Sequence, residues 1–208
     1  MTRKKENKVT FGLKNAHYVP IEEETEESIT YGTPVRIPGM VELTLEPRGE
    51  MTEFYADDML YYTAANNQGY DGTLNIANIP DQFAIECLGE EKDETDEVIT
   101  EKANKTGKDF ALLFEFDGDV KATRHVLYKC SASRPSISSS TKTNTKEPNT
   151  NELSFVSSPR MTDLAVKTKT TTNTPDNIYN SWYKKVYEKA EAISLQKEAE
   201  SKESKVKE

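Results

Sequence analysis

The stretch Met40–Leu88, MVELTLEPRGEMTEFYADDMLYYTAANNQGYDGTLNIANIPDQFAIECL, decides the fold class of this chain. In its opening residues Val41, Leu43 and Leu45 fall on one side of an extended chain and Met40, Glu42, Thr44 and Glu46 on the other, the period of two expected of a half-buried strand. One face asks for a core and the other for water. Pro47, Arg48 and Gly49 break the pattern and Glu50–Ala56 resumes as extended chain, so the local expectation is a long hairpin turning at Pro47–Gly49, with a polar and partly acidic side. Beyond it, Tyr55, Tyr61, Tyr62 and Tyr70 crowd a window with Asn66, Asn67, Gly69 and Gly72. This predicts an aromatic surface loop from Tyr55 to Gly72 that either touches another molecule or caps the core at a sheet end. Asp57 and Asp58 read as a turn, because neighbours on a strand point opposite ways and no acid/base partner is in sight. Gly72–Ala77 predicts a short strand. Asn78–Leu88 predicts a helix with Asn78 as its cap, Pro80 in the first turn, Phe83 and Cys87 on one face and Gly89 as the stop.

Working outward, Lys8–Lys14 and Ala16–Ile21 alternate around Asn15, as one strand running through a kink or bulge does. Ser28–Pro38, with two prolines and a glycine, reads as a linker or edge segment. Val98–Glu101 reads as an edge strand. Phe110–Phe116 (FALLFEF) is apolar at nearly every position, which suits a central strand covered on both faces. Asp117, Gly118 and Asp119 turn the chain into Lys121–Ser133, the strongest hairpin signal in the sequence. Ser136–Asn151 is a mobile connection or a hydrophilic strand, and Glu152–Ser158 and Leu164–Asn173 predict two more strands, the second rich in threonine. Ile178–Tyr187 is expected as a closing strand, although Ile178, Trp182 and Val186 also fall at helical spacing. From Glu188 onward Ala, Glu and Lys dominate, so the charged tail is expected to be helical or disordered.

The 208 residues suit one domain with a sizeable core plus tails. No apolar run approaches the roughly 18–20 residues that cross a bilayer, and Met1–Lys8 is basic with no apolar segment after it. No membrane partner and no secretory signal are therefore expected. Cys87 and Cys130 read as buried free thiols. The net charge of −9 hides a segregation: 25 acidic residues stand against 6 basic between Ala16 and Val120, and 11 against 21 elsewhere. Oppositely charged regions order copies of a chain head to tail. The runs Glu22–Glu27 and Glu90–Glu97 also suit plain solvated loops.

No catalytic constellation emerges. His17 and His125 each lie in an expected strand without ligands at metal spacing, and there is no phosphate-cradling glycine motif, nucleophile elbow or CxxC. No catalytic residue, metal site or cofactor is assigned, and an enzyme is disfavoured. The domain is too acidic for an ordinary nucleic-acid groove. An acidic, polar surface does suit letting a polyanion slide past, because it removes the counterion-release term behind tight non-specific binding.

In order along the chain, Gly39–Leu45, Ala56–Thr63 (ADDMLYYT), Gly69–Leu74 (GYDGTL), Ile79–Gly89 (IPDQFAIECLG), Ala111–Asp117 (ALLFEFD), His125–Pro135 (HVLYKCSASRP) and Trp182–Tyr187 (WYKKVY) resemble the major tail protein family of long-tailed siphophages, the tail tube subunit. The resemblance implies a mainly β fold, a β-sandwich or barrel-like tail tube domain over residues 1–187 with one short α-helix and a long β-hairpin loop. Residues 188–208 form a charged extension longer than the family pattern. It further implies a structural virion protein in the phage tail, assembled in the host cytoplasm. Six copies form each ring, and rings stack into a tube around a tape measure protein. Tail terminator and distal tail proteins are further partners, and genomic DNA passes through the lumen without specific binding. On that basis Glu42, Thr44 and Glu46 are expected to face the lumen. Arg48, Tyr55, Asp57, Asp58, Tyr61, Tyr62 and Tyr70 are expected at contacts between subunits or rings. A carbohydrate-binding, adhesion-type β-sandwich is the alternative, since it would use the same tyrosines and polar strands, and a carboxylate glycosidase is the enzymatic one.

Overall fold

A computed structural model describes residues 5–139, 141 and 149–189. The first strand, β1 (Thr10–Glu24), pairs with the short β2 (Ile29–Tyr31) and β3 (Val35–Arg36), so the proline-bearing segment is indeed an edge. Next come β4 (Met40–Arg48), β5 (Thr52–Ala56), β6 (Met59–Ala64) and β7 (Gly69–Ile76). The helix α1 (Asp81–Phe83) runs on as a π-helical turn, Ala84–Leu88. After it β8 (Glu91–Lys92) and β9 (Ile99–Thr100) form a small ribbon of their own, where the sequence suggested a solvated acidic loop and an edge strand. The strands β10 (Phe110–Gly118), β11 (Thr123–Ala132), β12 (Asn151–Ser157) and β13 (Lys167–Lys169) and the helix α2 (Asp176–Ser181) complete the chain. The main sheet is antiparallel in the order β2-β1-β10-β11-β12-β7-β4, with β3 also on β1 and β13 also on β11. The architecture is mainly β and sandwich-like.

One core takes side chains from every long strand of that sheet. Tyr18, Phe110, Leu112, Phe114, Leu127, Leu153, Phe155, Leu74 and Ile76 are all buried in it, with Leu43 and Leu45 of β4 packed against it. The sheet therefore curls around its own interior. The helix enters that interior with Phe83, whose ring meets Tyr18 and Phe110 edge-on at centroid distances of 5.0 and 5.2 Å. Burying such a side chain contributes about 1.5–3 kcal/mol. A second core lies on the opposite face of β1, β10 and β11: Val19, Ala111, Leu113, Val126 and Tyr128 are covered by Trp182 and Val186. Strand β10 is thus covered on both faces, as its unbroken apolar run requires. Both thiols are buried and free.

Several local expectations fail for identifiable reasons. Pro47–Gly49 is not the turn of a hairpin: β4 pairs with β7, Pro47 lying opposite Tyr70 and Arg48 opposite Gly69, while β5 pairs with β6. A bulge between Met40 and Glu42 exchanges the sides of the first two residues of β4, so Met40 packs on the core and Val41 is exposed. The kink at Asn15 is present, with φ of 56° and a register shift across it. Asn78 does not cap the helix; Pro80 occupies the cap position, and Gly89 stops the turn with φ of 78°. Only Lys167–Lys169 of the expected threonine-rich strand is extended in a ladder, because Thr171 and Thr174 close a turn. Ile178–Tyr187 is not a strand but α2 and the turns after it, giving the fold a second short helix. Ile178, Trp182 and Val186 at helical spacing all meet the second core, so a flat apolar face needing a lid decided the conformation. Part of Ser136–Asn151, and the tail from 190 onward, lie outside the described residues.

Polar side chains fasten that lid. Glu115, only 3% exposed, accepts hydrogen bonds from Asn15 Nδ2 (2.9 Å), Arg124 Nε (2.9 Å) and the Tyr183 hydroxyl (3.1 Å). At the other end buried Arg160 pairs in a fork with Asp163 (2.7 and 2.9 Å) and also reaches Glu188. A buried charge is tolerated because each is paired and hydrogen-bonded.

His125 stacks on Phe114 with centroids 5.0 Å apart and planes 2° from parallel. Burial, reinforced by Lys167 and Lys169, pushes its pKa down to about 4. The unfolded chain, with an ordinary imidazole near 6.5, binds the proton first. The neutral ring's contribution is therefore intact above about pH 6.5 and falls away as pH drops toward 4, by up to about 3 kcal/mol. The expected outcome is a thermal midpoint that declines across that window and does so less steeply in His125→Phe. An unchanged slope in the variant would refute the assignment.

Candidate assembly surfaces

Two surfaces are left unexplained by the cores. The first is the outer face of β4, β7 and β12. Antiparallel register sets their outward side chains in rows: Glu42, Asn75 and Glu152; Thr44, Thr73 and Ser154; Glu46, Asp71 and Val156. Because Leu43 and Leu45 of β4, Leu74 and Ile76 of β7, and Leu153 and Phe155 of β12 point into the core, alternation forces the polar set outward. Four carboxylates share this face, two of them, Glu46 and Asp71, directly opposite one another. Like charges so placed weaken a sheet slightly. The Arg48 guanidinium, 3.4 Å from Asp71, offsets part of that at the end of the row, and Asn75 Nδ2 donates to Glu42 at 3.4 Å. Glu42, Thr44 and Glu46 are therefore neighbours on one exposed face, as β4 alone suggested. Asp71, Thr73, Asn75 and Glu152 join them through pairing that a local reading does not supply, although the alternation of GYDGTLNI carried the signal.

The second surface is an arm. Between Arg48 and Gly69 the chain leaves the sheet and forms the separate ribbon β5–β6, roughly 20 Å long at about 3.3 Å per residue. Its tip is a two-residue turn in which Asp57 and Asp58 both take positive φ, 52° and 58°, the hairpin geometry that matches the twist of paired strands. The root is narrow: Gln68 N donates to the Arg48 carbonyl at 3.1 Å, and Gly49 has φ of 110°, where a Cβ would stand 1.9 Å from the Asn66 carbonyl oxygen. Only glycine fits there. Met51, Phe54, Tyr55, Met59, Leu60, Tyr61 and Tyr62 are all exposed, Tyr61 to 71%, and none belongs to either core. A lone two-stranded ribbon is marginal in water, and its exposed apolar side chains make the arm a candidate contact surface. The Tyr55 hydroxyl donates to Glu53 at 2.8 Å, and that carboxylate raises the phenol's pKa.

Of the residues the sequence singled out, Tyr55, Asp57, Asp58, Tyr61 and Tyr62 come together on the arm. Arg48 sits at its root. Tyr70 does not join them: it lies in β7, half-buried, with its hydroxyl accepting from Lys167 Nζ at 2.9 Å and its ring beneath that ammonium. The expected loop from Tyr55 to Gly72 is likewise corrected, since its last residues are sheet. Met51, Phe54, Met59 and Leu60 are the arm residues that sequence reading missed, because apolar residues in a strand ordinarily signify a core. Among the described residues no three His, Cys, Asp or Glu side chains cluster as a metal site would need, and no helix is long and apolar enough to cross a membrane.

The family model for a phage tail tube protein matches residues 1–206 of this chain. No curated protein matches it.

Because the arm feeds neither core, replacing Thr52–Ala64 with a short Gly-Ser linker should leave the domain folded and its unfolding free energy within about 1 kcal/mol of the full chain, measured by denaturant titration. A loss of several kcal/mol would show that the arm carries part of the core.

Proposed function

The chain belongs to the phage tail tube protein family, and from that premise we propose that it is the major tail subunit, polymerising as stacked hexameric rings into the conduit through which the genome is delivered. As a member of that family it is a structural component of the virion tail that assembles with itself and with other tail components. The family is structural, and no enzymatic activity is proposed. The number of copies per ring, the tape measure, terminator and distal tail partners, and assembly in the host cytoplasm are what the family resemblance implies.

The arm carries this reading. A folded domain that holds seven large apolar side chains away from its own cores is built to be completed by another molecule, and in a tube subunit that molecule is a neighbouring copy. The arm and its docking surface are different parts of the chain, so the contact is heterologous and closes into a ring when the rotation between copies permits. Charge segregation favours the same arrangement, since the acidic region of one copy meets the basic region of the next.

The acidic sheet face is then proposed to line the lumen. Glu42, Glu46, Asp71 and Glu152 with Thr44, Thr73 and Ser154 form a wall that offers DNA carboxylates and hydroxyls. Phosphates passing it exchange few of their condensed counterions for protein cations, so they find no sticking point. The polar strand face of each subunit, set beside that of its neighbours, makes a continuous inner surface.

Purified protein examined by negative-stain microscopy should show rings or tubes, and the linker variant of the arm should not. Glu42→Lys combined with Glu46→Lys should still assemble, because neither residue supports a core, but virions carrying it should deliver their genome more slowly. Normal infectivity of such virions would overturn the lumen assignment.

A further inference from the structure

Between α2 and Tyr187–Glu188 the lid over the second core forms a half-open groove of about 270 Å³, with Ile178, Trp182 and Tyr187 as its apolar walls and Lys185 and Glu188 on its rim. The rings of Trp182 and Tyr187 stack there, with centroids 5.4 Å apart and planes 15° from parallel. Apolar walls around such a space gain dispersion contacts from whatever seats between them. A cavity of about 150 Å³ already accepts a benzene-sized group, so this groove has room for two aliphatic side chains. A lid built on a helix of six residues has little stability of its own, and a second apolar layer on its outer side would hold it in place.

The chain itself leads to an occupant. Glu188 lies on the rim, and Nη2 of buried Arg160 donates to its carboxylate at 3.0 Å, so the chain departs from a fixed point at the lip of the groove. In residues 189–208 the large apolar side chains are Ile193, Leu195 and Val206, in a stretch otherwise made of Ala, Glu, Lys, Ser and Gln. Five residues of extended chain span at most about 17 Å, so Ile193 and Leu195 reach the groove with chain to spare. A tether this short gives them an effective concentration there on the order of millimolar, which favours them over any free partner. Two residues apart, they share a side when the chain is extended and do not when it is helical. Glu191 falls on that same side, opposite in charge to Lys185 on the rim. We propose that residues 190–196 fold back as an extended strap that seats Ile193 and Leu195 in this groove of their own chain. Trp182 is then held between the second core on one side and the strap on the other.

Trp182 is the one tryptophan of the chain, and contact with an indole quenches a bimane fluorophore. Both native thiols are buried, so the full-length chain can be labelled at Ser194→Cys, beside the two anchors, or at Ser204→Cys near its end. Emission from position 194 should be quenched relative to position 204. It should recover when Ile193→Asp and Leu195→Asp are added, and also in Trp182→Phe. The two aspartates in the otherwise unaltered chain should lower the thermal midpoint by roughly 5 °C or more. Equal emission from the two labelled positions, quenching that survives the aspartates, or an unchanged midpoint would overturn the strap. Mixing labelled Trp182→Phe chains with unlabelled, unaltered ones separates the chain's own groove from a neighbour's. The label should stay bright in that mixture; quenching there would show the segment crossing to another copy and refute the assignment.

Discussion

Strand β10 has no face left for water, and the fold follows from that constraint. On one side Phe110, Leu112 and Phe114 require a deep interior, which the sheet supplies by curling until β7, β12 and β4 bring Leu74, Ile76, Leu153, Phe155 and Leu43 over it and α1 adds Phe83. On the other side Ala111 and Leu113 require a lid. The segment from α2 to Val186 supplies it, held down at one end by Glu115 and Arg124 and at the other by Arg160 and Glu188. The hydrophobic term is non-directional, so the lid needs these paired charges to fix where it lies.

The parts proposed to serve assembly are those the constraint spares. The outer face of β4, β7 and β12 is free to be acidic because its inner face already fixes the strands in the core. The arm is free to be apolar in solvent because a glycine-bearing root separates it from the sheet, so its side chains neither complete the cores nor disturb them. On that proposal a single chain keeps stability and self-recognition on different residues, as suits a tube subunit that folds before its neighbours arrive.

Much of this was legible locally. The alternation from Glu42 to Glu46, the two-faced run Phe110–Phe116, the hairpin that follows it, the bulge at Asn15 and the burial of Phe83 and Cys87 on the helical segment all depend on interactions within a few residues, and all are present. Misreadings came where a distant partner overruled the local pattern. Pro47–Gly49 looks like a turn until β7 is available to extend the ladder past it. Ile178–Tyr187 reads equally well in two periods, and the flat face of β10 and β11 selected the helical one. The aromatic window was recognised as unusual, but its tyrosines divide: Tyr55, Tyr61 and Tyr62 project on the arm, while Tyr70 is drawn back into the sheet beside Lys167.

By itself the amino-acid sequence determined which residues alternate, which strand has two buried faces, where charge accumulates and that no catalytic cluster is written into adjacent positions. Those properties reside in backbone period and side-chain chemistry, which act over one or two turns or pleats. Only the tertiary structure decided that Glu42, Asp71 and Glu152 form one wall and that β5 and β6 leave the sheet as an arm. Strand pairing joins residues far apart in the chain, and a register is set by the whole sheet rather than by either strand alone.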